Sequence, residues 1–190
     1  MTYRRDLWEV AVSHHGVVTV ASADDAGVPP VEVRKLASRG ALRRYGHGVY
    51  VHRGAPTSRL TEPAVAVALG GAGAFLQRES VFDLLGIGQF NPKRIRVGTR
   101  RRVRRALPEW MALESRVDVP DADITRYDGI PATTVRRALE DLRPRMPHER
   151  WRALLDEAEL RGLISATEAH ELKGGWNGRR ESAAEYHAAQ

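Results

Sequence analysis

Between Arg34 and Arg53 the chain carries six basic residues, Arg34, Lys35, Arg39, Arg43, Arg44 and Arg53, and no acidic one. A guanidinium is planar and permanently charged, so it grips phosphate oxygens two at a time and matches the O6/N7 edge of guanine. This cluster is therefore suited to recognising a polyanion rather than to breaking bonds. Pro30, Val31, Arg34 and Lys35 are expected to reach base edges, with Arg34 the best match to guanine. Arg43, Arg44 and Arg53 are expected to hold phosphates, which fix register without reading sequence. Arg39 and His47 belong to the same expected surface, and Thr19 is a candidate phosphate contact at a helix start. Glu32 could accept from cytosine or repel wrong docking. For any single arginine the alternative is a solvated surface charge.

A second basic run comprises Lys93, Arg94, Arg96, Arg100, Arg101, Arg102, Arg104 and Arg105. It reads equally as an extension of the nucleic-acid surface or as a partner-binding or solvated face. The stretch from Glu109 to Asp128 is mainly acidic, which suits a basic partner or a set of solvated loops. Catalytic signatures are missing: there is no Gly-x-Ser-x-Gly, phosphate loop, dinucleotide fingerprint or His-Glu-x-x-His. His14 and His15 are adjacent and cannot share one helical face, which argues against a metal site there. No catalytic residue, metal or cofactor is expected.

The elements that must position these residues follow from periodicity. Tyr3 to His14 places Leu7, Val10, Ala11 and His14 on one helical face, and His15-Gly16 ends it. Thr19 is the expected N-cap of a short second helix ending near Gly27. Pro30 opens a third helix running to Arg39, with Val33, Leu36 and Ala37 inward. Ala41–Tyr45 and Val49–His52 read as strands joined through Gly46-His47-Gly48. Three helices and a hairpin in this order predict a winged helix-turn-helix, in which the third helix enters the major groove. Gly54 to Ser58 reads as a linker.

Beyond it, helices are expected over Leu60–Leu69 and Leu76–Leu85, and a half-buried strand at Ile95 and Val97 with Arg94 and Arg96 outward. Asp118–Tyr127 reads as strand and turn, and helices follow over Thr133–Leu142 and Pro147–Arg161. Ser165 and Glu168 form a capping box for another. The fold class expected is α+β: a winged helix-turn-helix over 1–55, a mixed α/β domain over 60–175 and a tail over 176–190.

With 190 residues, a formal net charge of +6 and no cysteine, the chain has room for a core and no thiol chemistry. It shows no signal-peptide pattern and no apolar run near the roughly 18 residues of a membrane span. A cytoplasmic protein is expected.

The runs Leu7-Trp8-Glu9-Val10-Ala11, Gly16-Val17-Val18-Thr19, Gly27-Val28 and Arg39 to Tyr50 resemble the AbiEi family, antitoxin-type transcriptional regulators of AbiE toxin–antitoxin systems. Phe75 to Ser80, Asp128 to Thr134 and Arg137 to Leu142 are similar to its second half. The resemblance implies a repressor that binds inverted repeats in double-stranded DNA at its own promoter and counteracts a nucleotidyltransferase toxin. It assigns DNA binding to the N-terminal part and antitoxicity to the C-terminal part. Some relatives carry a nuclease-like domain; none is expected here, because the sequence stops soon after Leu163-Ile164-Ser165. The alternative is a stand-alone transcription factor whose second domain binds a ligand or partner.

Overall fold

The computed structural model describes residues 2–101 and 106–174. The chain is α+β, with the winged-helix elements first and a mixed sheet with helices after them. Helix α1 (Tyr3–Ser13) turns its Leu7 and Ala11 inward. It ends where Gly16 takes φ 88° and returns its N–H to Ala11, a backbone shape that side chains disfavour. Strand β1 (Val17–Thr19) follows, then α2 (Val20–Asp25), whose start is closed by a reciprocal Thr19–Ser22 capping box. Helix α3 (Pro30–Ser38) has proline in its first turn and buries Val33. Strands β2 (Leu42–Gly46) and β3 (Val49–His52) form the wing, and β1 adds to the far side of β3, giving the order β1-β3-β2. The β1 strand was not expected, since three residues are too few to show alternation.

The three-stranded sheet is covered on both faces. Val18, Leu42 and Tyr50 pack with Leu7, Ala11, Ala23, Val28 and Val33 beneath the three helices. Val17, Val49 and Val51 point the other way, into a second core built around α4 (Thr61–Gly70). Consequently Val49, Tyr50, Val51 and His52 are all buried, where a sheet with one solvent face would alternate. Helix α4 packs against β1 and β3 on one side and against the strands of the second sheet on the other. Its Val65, Ala66, Val67 and Leu69 are buried all round, the pattern of a helix with no solvent face.

That second sheet has the order β6-β5-β4-β8-β7, from β4 (Phe75–Leu76), β5 (Ile95–Thr99), β6 (Met111–Ser115), β7 (Ile124–Tyr127) and β8 (Ile130–Thr133). Strands β4/β8 and β5/β6 are parallel, while β4/β5 and β7/β8 are antiparallel. Helices α5 (Glu79–Leu85), α6 (Val135–Leu142), α7 (His148–Leu160) and α8 (Ala166–Gly174) pack on one another in succession. Trp151 is fully buried among them and its Nε1–H donates to the Leu139 carbonyl at 2.8 Å.

Three expectations for this half need correction. The helix foreseen over Leu76–Leu85 starts only at Glu79, because Phe75 and Leu76 form the central strand β4 and Arg78, at φ 53°, breaks any helical path. Ile130 to Thr133 is a strand, so the helix expected from Thr133 begins at Val135. Asp128 and Gly129 both have positive φ, as a two-residue hairpin between right-twisted strands demands. Strand β6 went unforeseen. The capping box at Ser165 and Glu168 is present, with Ser165 N–H donating to Glu168 at 2.8 Å and Glu168 N–H to Ser165 at 3.2 Å.

Gly54 to Ser58, read as a linker, is tied down: Trp8 Nε1–H donates to the Gly54 carbonyl at 3.0 Å, and Ala55 is buried. His15 Nε2–H donates to the Asp128 carbonyl at 2.7 Å, stitching the end of α1 to the β7–β8 hairpin. The tail at 176–190 lies outside the described residues. Among those described, no helix is long and apolar enough to cross a membrane.

Candidate nucleic-acid interface

Burial of Val33 fixes which side of α3 faces out. Pro30, Val31, Arg34, Lys35 and Ser38 are exposed, and Arg39 follows at the C-cap. Val31 is 46% exposed, a large apolar group left on the outer face of α3, of a kind able to contact a thymine methyl. Lys35 is paired with Glu32 one turn back, at 2.7 Å. Glu32 thus restrains Lys35 and leaves Arg34 as the α3 cation with no ion pair among the described residues. Ser38 completes the face and was missed because serine near a helix end carries no distinctive signal; its hydroxyl donates to the Lys35 carbonyl.

The wing residues divide. Arg43 lies opposite Val51 and Arg44 opposite Tyr50, so the two project to opposite faces of the hairpin. Arg44 is on the side of the three helices, with Nε donating to the Gly46 carbonyl at 3.3 Å. Arg43 is on the α4 side, its guanidinium 5.0 Å from the Tyr45 ring centre. His47 is exposed at the tip, where Gly48 (φ 70°) lets the chain reverse. Behind the wing, Arg43, Tyr45, Arg53, Arg59, Ser58 and Glu62 line a cleft of about 590 Å³. Thr19, expected at a phosphate, has its hydroxyl engaged locally: it accepts from Ser22 N–H at 2.9 Å.

The described residues of the second basic run differ in their surroundings. Lys93 and Arg94 are exposed before β5, and Arg101 is exposed after it. Arg96 is held by Glu79 at 2.6 Å and Glu114 at 3.3 Å, its pKa raised chiefly by the Glu79 hydrogen bond. Arg100 donates to Asp121 at 2.7 Å and to the Val119 carbonyl. Arg102, Arg104 and Arg105 lie outside the described residues.

The acidic stretch is largely used internally, which charge counting along a sequence cannot reveal. Arg116 is buried, donating to Gln77 Oε1 and to both Asp118 and Asp141 at 2.9 Å. Arg137 completes the network with Asp118 at 2.5 Å, Asp123 at 3.1 Å and Asp141 at 3.1 Å. Hydrogen bonding from Arg116 pulls the Asp118 carboxyl down to about 2. Among the described residues no cluster of histidine and carboxylate groups could hold a metal.

No curated protein matches the chain. Among solved structures, the crystal structure of the RV2827C protein from Mycobacterium tuberculosis is similar at 18% identity and a TM-score of 0.49, covering 92% of this chain and 72% of that one. Residues 5–51 run from the first turn of α1 almost to the end of β3, and so hold α3 and most of the wing. Over that segment the chain matches the family of AbiEi antitoxin transcriptional regulators.

Proposed function

We propose that the protein is a cytoplasmic DNA-binding antitoxin that represses its own toxin–antitoxin operon and counteracts a nucleotidyltransferase toxin encoded with it. The observation that carries this reading is the exposed outer face of α3, with Val31 and an Arg34 that has no ion pair among the described residues, beside the wing residues Arg44 and His47, within the segment that matches the regulator family. Helix α3 reads bases, Arg34 foremost, while Arg39, Arg44 and His47 hold the backbone. Exposed charges of this kind supply sequence-independent affinity, and the rigid helix supplies discrimination.

The test uses the full chain. Fluorescence anisotropy with the DNA upstream of its own gene, against a scrambled duplex at the same salt, should give at least about a thousandfold preference for the former. Equal affinity for both would refute operator recognition. Co-expression with the neighbouring toxin gene should restore growth; a neighbour that is not a nucleotidyltransferase, or failure to restore growth, would refute the antitoxin part alone.

A further inference from the structure

A cleft of about 600 Å³ opens between the start of α5 and the segment joining α6 to α7, with no wing residue in its lining. One wall holds Arg78, Glu79, Arg96 and Glu114. Arg78 is 7% exposed and sits at φ 53°, ψ −130°, a conformation that non-glycine residues seldom adopt outside sites where geometry is imposed. Its terminal nitrogens clasp Glu114 in a two-pronged pair, and its Nε has no hydrogen-bond partner among the described residues. Arg96 bridges Glu79 and Glu114. The carboxylates are therefore neutralised and fixed, yet Glu79 and Glu114 keep 19% and 30% of their side chains exposed.

The facing wall is different. Arg145 and Arg150 are exposed and have no carboxylate partner among the described residues. Arg150 is pinned 5.1 Å above the Phe90 ring, which in turn stacks on Phe82 at 5.7 Å. A guanidinium attracted to the face of an aromatic ring is restrained there while its N–H groups remain available for an anion. Pro92, Leu142 and Met146 supply the apolar part of the lining.

We propose that this cleft binds a small phosphorylated ligand carrying hydroxyl groups, of the sugar- or nucleoside-phosphate class. The phosphoryl group sits on Arg145 and Arg150, and the hydroxyls donate to Glu79 and Glu114. Charge-assisted bonds at both ends define the orientation. A nucleic-acid strand fits poorly, because its succession of phosphates would run across the two carboxylates. The volume is that of a small-molecule pocket rather than a protein-docking groove.

The test is calorimetric titration of the full chain, without DNA, with uridine monophosphate, ribose 5-phosphate, inorganic phosphate and uridine. The two organic phosphates should bind saturably with Kd below about 1 mM, and inorganic phosphate and uridine each at least about tenfold more weakly. Arg145→Ala with Arg150→Ala changes only exposed groups; it should abolish binding while leaving the circular-dichroism spectrum and melting temperature intact. Glu79→Gln should weaken the organic phosphates and leave inorganic phosphate unchanged. No saturable binding, inorganic phosphate binding as well as the organic ligands, or undiminished binding by the arginine variant would each overturn the proposal. Operator affinity of the same variants, measured separately, reports on the DNA-binding reading and is independent of this result.

Discussion

Arg43 and Arg44 are consecutive in the wing, yet one faces Tyr45 and α4 while the other faces the side that carries the reading helix. Replacing both should therefore not remove two DNA contacts. Arg44→Ala should lower the slope of log K against log salt by about 0.9, and Arg43→Ala should leave it unchanged. Anisotropy titrations at four salt concentrations distinguish the two, and a slope lost equally from both would put Arg43 at the DNA as well.

Arg34 is the α3 cation that no carboxylate restrains among the described residues. Arg34→Ala should cost about 1–3 kcal/mol on the operator and much less on scrambled duplex. Lys35→Ala should cost less, because Lys35 must first leave Glu32. Equal losses on both duplexes would make Arg34 a phosphate contact.

Leu69 lies in the helix shared by both sheets, with a terminal carbon occupying the space a Cβ on Gly46 would need. Leu69→Ala should destabilise the protein by about 2–5 kcal/mol, and Gly46→Ala should disturb the same seam. Hydrogen exchange should show the Val51 and Leu155 amides opening with one limiting free energy in the native protein. Two separate limits would show that the halves unfold apart.

Two pH windows follow from perturbed groups. The Asp118 carboxyl is lowered from 3.8 to about 2, so the stability it contributes is present above pH 3.8 and is lost as pH falls from there toward 2. The side chain is half exposed and screened, which holds the contribution to about 1 kcal/mol. His52 is lowered from 6.5, mainly because burial disfavours its charged form. Its neutral state stabilises the fold fully above pH 6.5, and that contribution declines as pH drops below it. Urea melts from pH 8 to pH 2.5 should show both losses; Asp118→Asn should remove the acid one, and His52→Gln the one near neutrality.

The winged helix could be read from the sequence because its signals are local: Thr19 as a cap, Pro30 in a first turn, Gly16 and Gly40 past helix ends, and two glycines around His47. The second half was harder, since its sheet is assembled from strands distant in sequence. Phe75-Leu76 is too short to show a period, and Met111 to Ser115 alternates too weakly to mark a strand. The basic cluster drew attention to α3 and the wing. It could not show that Arg43 turns back toward α4, or that Arg96 is neutralised by Glu79 and Glu114. Those outcomes depend on strand register and on carboxylates 17 and 18 residues away in sequence.

Helix α4 packs directly on β1 and β3 on one side and on the second sheet on the other. Thermodynamic linkage then runs in both directions. Under the proposed function, a molecule that binds the second half and shifts α4 would alter operator affinity by some factor, and the operator would alter that molecule's affinity by the same factor. A repressor bound to its promoter would consequently hold its partners with a different strength from one free in solution, and promoter occupancy would itself report how much partner is present.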